Sequence, residues 1–281
     1  MIDAHQHFWR IDRGDYRWLT PQLAAIHRDF LPADLEPLLA EAGIASTILV
    51  QASDTDAETD FLLDLAAEAS FVSGVVGWVD FAARSAPDRL GRLATDPRFV
   101  GVRPMIQDLP DPDWMLREEL RPALEALVEL DLAFDAIVRP LHLPRLRILL
   151  DRHPDLRVVV DHAAKPTVAE GWSGFGEWRE HMEAIARESS ACCKLSGLAT
   201  EARPGWTAED LRPYVDVVLE AFGPSRLVWG SDWPVVVLAG GYAPWWEATA
   251  TLLADPSAED RRAVLGGNAA RLYRIGERAA A

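Results

Sequence analysis

Two histidines separated by one residue, His5 and His7, close the first apolar run of the chain in MIDAHQHFW. Residues two apart on a strand point to the same side, so both imidazoles can grip one cation. A pair of this kind also occurs as a packed or exposed structural feature, and its weight comes from what stands in line with it. His162 in VVVDHAAKP and Asp232 in WGSDWP close two later runs. Three histidines and one carboxylate form a ligand set for a zinc ion, with water completing the site. Asp232, set between Trp229 and Trp233, reads either as a turn residue or as a base suited to taking a proton from water. Arg103 in GVRP is a structural ion pair or a donor to a substrate carbonyl or carboxylate. Gln51, Trp78, Lys165 and Lys194 are the remaining candidates for substrate binding: Gln51 for a hydroxyl or as a strand cap, the lysines as binding or salt-bridged groups. His27, His142, His153 and His181 fall in loop or helix segments and are read as structural.

These residues need elements that bring distant strand ends together. Eight short apolar or β-branched runs recur, at 2–7, 46–52, 74–80, 99–104, 132–138, 157–163, 192–197 and 227–233. Helical apolar spacing fits 34–42, 57–69, 114–130, 143–152, 176–188, 208–221 and 243–254 between and after them. Runs without strict alternation suit strands covered on both faces, and their regular alternation with helices predicts an α/β (β/α)8 TIM barrel over 1–281 as a single domain. An open doubly wound sheet competes, but no GxGxxG follows an early strand. In a barrel the active site lies at the carboxyl ends of the strands, where the candidates above fall, with Lys165 in the loop after strand six at the same face. A long loop after strand one, 8–32, carries Phe8, Trp9, Tyr16 and Trp18 and reads as a lid; a second spans 164–175. Residues 257–275 add extra carboxy-terminal helices, with Ser257 and Asp260 spaced as a capping box.

The 281 residues carry 28 basic and 44 acidic side chains, a formal net charge of -16. Such a surface repels phosphate backbones and anionic lipid, so nucleic-acid and membrane partners are not expected. The apolar runs are too short to span a bilayer, and the amino terminus lacks the pattern of a secretory signal, which predicts a soluble cytoplasmic protein. Cys192 and Cys193 are adjacent on a predicted strand and point apart, unsuited to a disulfide. Only Lys165 and Lys194 are lysines among the 28 basic residues, which suggests positions where a compact ammonium is wanted.

The ordered pieces DAHQHFW, VGVRP, VVDHAAKP, KLSG, WGSDWP and GNAARLY resemble one family across nearly the whole chain. They are similar to the amidohydrolase superfamily, in its amidohydrolase-2 type branch of sugar-lactone hydrolases related to L-fuconolactonase and L-rhamnonolactonase, which also holds pyrone-dicarboxylate and sulfomuconolactone lactonases. The resemblance implies a (β/α)8 barrel that hydrolyses a lactone ester, with Asp232 activating water, His5 and His7 as the first-strand pair and His162 as the histidine after strand six. Strand five, LAFDAIV, departs from the binuclear pattern because it ends without histidine or lysine. One zinc at most is therefore expected, and as an optional rather than obligatory cofactor. A small sugar (aldono) lactone is the expected substrate, and homo-oligomer formation is left open. The alternatives are a lactonase for an aromatic-degradation dicarboxylate, a zinc-dependent decarboxylase or amidase on the same barrel, and a non-catalytic ligand-binding barrel.

Overall fold

The apolar runs become strands; His7, Gln51, Arg103, His162 and Asp232 stand just past their ends, while His5, Asp135 and Lys194 lie within the strands. The computed structural model describes residues 1–171 and 173–277; Trp172, in the 164–175 loop, lies outside the described residues. The strands are β1 (Ile2–Gln6), β2 (Ser46–Val50), β3 (Val72–Gly77), β4 (Phe99–Val102), β5 (Ala133–Ala136), β6 (Val158–Val160), β7 (Cys192–Leu195) and β8 (Leu227–Trp229). They pair in parallel in sequence order as one eight-stranded sheet. His7 N–H donates to Trp233 O at 2.7 Å and Asp232 N–H to His5 O at 2.8 Å, which joins the end of the last strand to the first and closes the ring.

Helices α1 (Pro32–Ala42), α2 (Asp56–Glu68), α3 (Ala86–Leu93), α4 (Arg121–Glu129), α5 (Leu143–Arg152), α6 (Phe175–Glu188), α7 (Ala208–Phe222) and α8 (Tyr242–Leu252) follow the strands in turn. Two of them differ from the sequence expectation. α3 is not predicted, because Pro87 and Gly91 mask an eight-residue apolar stripe of Ala86, Leu90 and Leu93. The single helix expected over 114–130 is broken: two tight turns precede α4, which starts where Pro122 can occupy the first helical turn without losing a hydrogen bond. After α8, Ser257 caps α9 (Ala258–Arg262) by accepting from Asp260 N–H at 3.1 Å, and α10 (Asn268–Leu272) follows.

Most apolar side chains pack between the sheet and the helices. A second, smaller cluster fills the barrel itself: Ala4, Ile48, Val76, Val100, Val159 and Val228 meet Ala269, Leu272 and Tyr273, so α10 and the residue after it close the amino-terminal end. The register of β1 against β2 shifts between Asp3 and Gln6, and this bulge changes which residues face in. Asp3 points away from the barrel axis to the Tyr242 hydroxyl of α8 at 3.2 Å, while Ala4, His5 and His7 face the interior and its mouth. Cys192 and Cys193 are both free thiols. No described helix is long and apolar enough to cross a membrane.

The loop after β1 is less of an open flap than its length suggests. Trp9 and Phe30 exchange backbone hydrogen bonds at 3.0 Å, and the Trp18 indole donates to Ala52 O at 2.7 Å. Trp9, Tyr16 and Phe30 are buried in the main core.

Candidate active site

The hydrogen bonds that close the barrel decide which side chains meet. They carry the Asp232 carboxylate to the histidines: its Oδ1 lies 3.3 Å from His7 Nε2, 3.7 Å from His5 Nε2 and 3.9 Å from His162 Nε2. All four side chains are almost fully buried. Gly230 permits this approach, since a Cβ there would stand 2.6 Å from His5 Cβ. Gly197, at φ +66°, does the same on the other side, where a Cβ would meet His162 Nδ1 at 2.5 Å.

His162 begins a turn with no glycine in which four successive residues, His162 to Lys165, have φ between 48° and 61°. Left-handed backbone costs an L-residue roughly 1–2 kcal/mol, so surrounding contacts must hold the turn in place. Lys165 N–H bonds to His162 O at 2.8 Å, the Trp178 indole to Ala163 O at 2.8 Å, and His162 Nδ1 is 2.8 Å from the Ser196 hydroxyl.

Burial sets the charge state of this group. It pushes His5 and His162 well below the ordinary imidazole range, in His5 with help from the neighbouring Lys194 and Arg103 cations, and it lowers His7 as well. Burial alone would raise Asp232, but the His162 and His7 side chains beside it outweigh that and hold its carboxyl below the usual range. These shifts favour uncharged imidazoles and an ionised carboxylate, a lone-pair-rich pocket.

Arg103 and Gln51 form the adjoining wall. Arg103 Nη1 lies 3.2 Å from His5 Nε2, and Nη2 donates to Gln51 O. In return Gln51 Nε2 donates to Arg103 O at 2.5 Å, a bond from the end of β2 across β3 to the end of β4. Trp78 is half-buried, with its backbone tied on both sides to the Thr59 hydroxyl. Lys165 stands at the rim, 3.8 Å from Glu201.

Lys194 does not join that wall. It is fully buried beneath His5, with Nζ 2.5 Å from Asp135 Oδ2, 3.0 Å from Asp161 Oδ1 and 3.0 Å from His5 Nδ1. The expected direct contact with substrate is replaced by support of His5 from below, because three acceptors already surround the ammonium. Asp135 and Asp161 are not among the candidates read from the sequence, although an acid inside or just after an apolar strand, as in AFDA and VVVD, is a signal of a buried partner. Asp135 also accepts from the Tyr273 hydroxyl at 2.8 Å, and Asp161 from Arg103 at 3.5 Å.

A metal ion would suit part of this set. Ligand atoms of His5, His7 and Asp232 lie within 4.8 Å of one another, as do those of His5, Asp161 and His162. His7 is oriented as a metal ligand commonly is: its Nδ1 is 2.7 Å from Val50 O, which can only accept, so a proton sits there and Nε2 faces Asp232. Two electron-rich atoms 3.3 Å apart call for a proton or a cation between them. The acid of β5 is not available to a second metal, since Asp135 is engaged by Lys194 and Tyr273.

Comparison with known proteins agrees with this geometry. The family model described as amidohydrolase matches residues 2–275. An L-fucono-1,5-lactonase of Burkholderia ambifaria is 48% identical over 280 residues, covering 98% of this chain and 95% of the relative. An L-fucono-1,5-lactonase of Burkholderia multivorans is 36% identical, covering 98% and 96% respectively. A crystal structure of an amidohydrolase from Burkholderia multivorans with bound zinc superposes with a TM-score of 0.92 at 36% identity, covering 98% of this chain and 99% of that one. Barrel, strand-end histidines and last-strand aspartate thus occur in a chain that belongs to the amidohydrolase family.

Proposed function

We propose that this chain is a carboxylic ester hydrolase that opens a small sugar lactone, with L-fucono-1,5-lactone as its first candidate substrate. The observation that carries the reading is the Asp232 carboxylate within 4 Å of His5, His7 and His162, in a chain 48% identical to an L-fucono-1,5-lactonase. The lactone sits in the barrel mouth with its carbonyl oxygen toward Arg103 and His5, whose positive and polar groups stabilise the charge that develops there. Asp232 removes a proton from water while His162, oriented by Ser196, holds that water in line. The hydroxide adds to the carbonyl carbon. As the tetrahedral intermediate collapses, the bond to the ring oxygen breaks, and Asp232 returns its proton to that oxygen. The product is the open hydroxy acid.

His5, His7 and Asp232, with His162 beside them, are the residues that would hold a single zinc. Bound there, zinc would polarise the carbonyl as a Lewis acid. We read the metal as accessory, because Arg103 already supplies positive charge beside His5. The dicarboxylate alternative is disfavoured by the state of the cations: Lys194 is sealed in the floor and Lys165 is paired with Glu201, which leaves Arg103 as the clamp. We further read residues 1–281 as one barrel domain of a cytoplasmic enzyme, a reading supported by its two free thiols.

The test is acid release, followed with a pH indicator, from a panel of aldonolactones and aromatic-pathway lactones before and after chelation. The reading expects turnover of sugar lactones that survives chelation; turnover of none of the sugar lactones overturns it.

A further inference from the structure

Gln51 has no exposed surface, yet its Oε1 has no hydrogen-bond partner. An orphaned buried acceptor of this kind costs on the order of 1–3 kcal/mol unless something answers it. Turning the amide over does not relieve it. Nε2 is fixed on Arg103 O at 2.5 Å, and a carbonyl cannot donate, so the reversed amide would set two oxygens against each other. The same wall holds a second orphan, of opposite kind: the buried Nε of Arg103, a donor without an acceptor. Both residues stand at strand ends and bond to each other, Arg103 with its Nη1 3.2 Å from His5 Nε2, and Gln51 N–H and Arg103 N–H are both spent on β3, on Val76 O and Gly77 O. The two residues therefore leave one buried acceptor and one buried donor unanswered.

We propose that Gln51 is a specificity-determining residue: its Oε1 accepts a hydrogen bond from a hydroxyl of the substrate, and with Arg103 it selects polyhydroxylated lactones over lactones that carry a carboxylate in that position. The inference rests on the lactonase reading and narrows it to a substrate class. A hydroxyl can give its proton to Oε1 and accept from a guanidinium N–H. A carboxylate can only accept, and it would confront Oε1 as a second acceptor. A site built to pair with a hydroxyl rejects the analogue that lacks it far more strongly than an apolar pocket rejects an added group, because the site's own polar atom is then left bare.

The experiment compares kcat/KM for an aldonolactone and its series of monodeoxy analogues in the wild type, Gln51→Met and Gln51→Glu. Removal of one particular hydroxyl should cost the wild type at least about tenfold. In Gln51→Met that ratio should collapse toward one, while the other deoxy analogues keep theirs. Gln51→Glu, which retains an acceptor but loses the bond to Arg103 O, should be slower overall and still discriminate. A purely structural Gln51 would lower all substrates alike and leave every ratio intact, which overturns the inference. Should Gln51→Met fail to fold, the wild-type series decides: if no single hydroxyl is worth more than threefold, the inference fails. The absence of any lactone turnover by the wild type instead defeats the underlying functional reading.

Discussion

Lys194 and Gln51 are both completely buried at strand ends, one on each side of His5, and their circumstances are opposite. Lys194 has Asp135, Asp161 and His5 within 3.0 Å, and Asp135 is held in turn by Tyr273 from the closed end of the barrel. Gln51 keeps an unanswered oxygen, and Arg103, to which it is hydrogen-bonded, an unanswered Nε. A buried polar network whose members are satisfied fixes geometry, whereas an unsatisfied group persists only where something else will occupy it. The Asp135–Asp161–Lys194 network of β5, β6 and β7 thus supports His5 from below, and on the proposed reading the ligand finds its partners at the ends of β1, β2, β4, β6 and β8.

The sharpest way to break that comparison is to remove the centre of the floor. Lys194→Met leaves two carboxylates buried together and should destabilise the fold by about 3–5 kcal/mol, measured by urea unfolding. Lys194→Arg should not restore it, because a planar fork cannot serve three acceptors arranged around one ammonium. An unchanged midpoint in Lys194→Met would show that the network does not hold the fold.

On the wall side, zinc should raise the unfolding free energy by about 2.7 kcal/mol at one hundred times its dissociation constant, a direct consequence of linkage. Calorimetry should find that gain abolished in His7→Ala; its persistence there would move the metal away from His7.

A smaller effect belongs to Glu58, whose carboxyl oxygens accept from Ala52 N–H at 2.9 Å and Ser53 N–H at 2.7 Å behind the wall. Burial pushes its carboxyl from 4.5 up to about 8. The folded state then keeps a proton that the unfolded chain has released, so this contribution is complete below pH 4.5 and is lost as pH rises toward 8. Glu58→Gln should lower the midpoint somewhat and flatten the stability profile across that window; an unaltered slope would contradict the assignment. Smallest of all, Tyr273→Phe removes a single neutral donor from Asp135 and should cost about 1 kcal/mol. A loss comparable to that of Lys194→Met would mean that the floor is anchored from α10 rather than from Lys194.

Much of this was legible in the residues. The β-branched runs mark the strands because strands buried on both faces have no polar alternation to keep, and the positions of His5, His7, His162 and Asp232 follow once those runs are placed in a ring. Other features leave weaker traces. The register shift that separates Asp3 from Ala4 and His5 depends on pairing with β2, which no local pattern encodes. The left-handed turn at His162 contains no glycine, so the residue type that ordinarily announces such backbone is missing. Lys194 reads as a substrate-facing group until Asp135 and Asp161 are seen to meet it across the barrel, a contact between strands that are distant in sequence.

Asp232 is where the account is most exposed, since it assigns the proton transfer to one carboxylate. The decisive measurement is kcat/KM for L-fucono-1,5-lactone in the wild type and in Asp232→Asn, with folding checked by urea unfolding. Turnover by the wild type with a loss of about 10³-fold in a folded Asp232→Asn is the expected result. A folded Asp232→Asn that hydrolyses the lactone within threefold of the wild-type rate would contradict it.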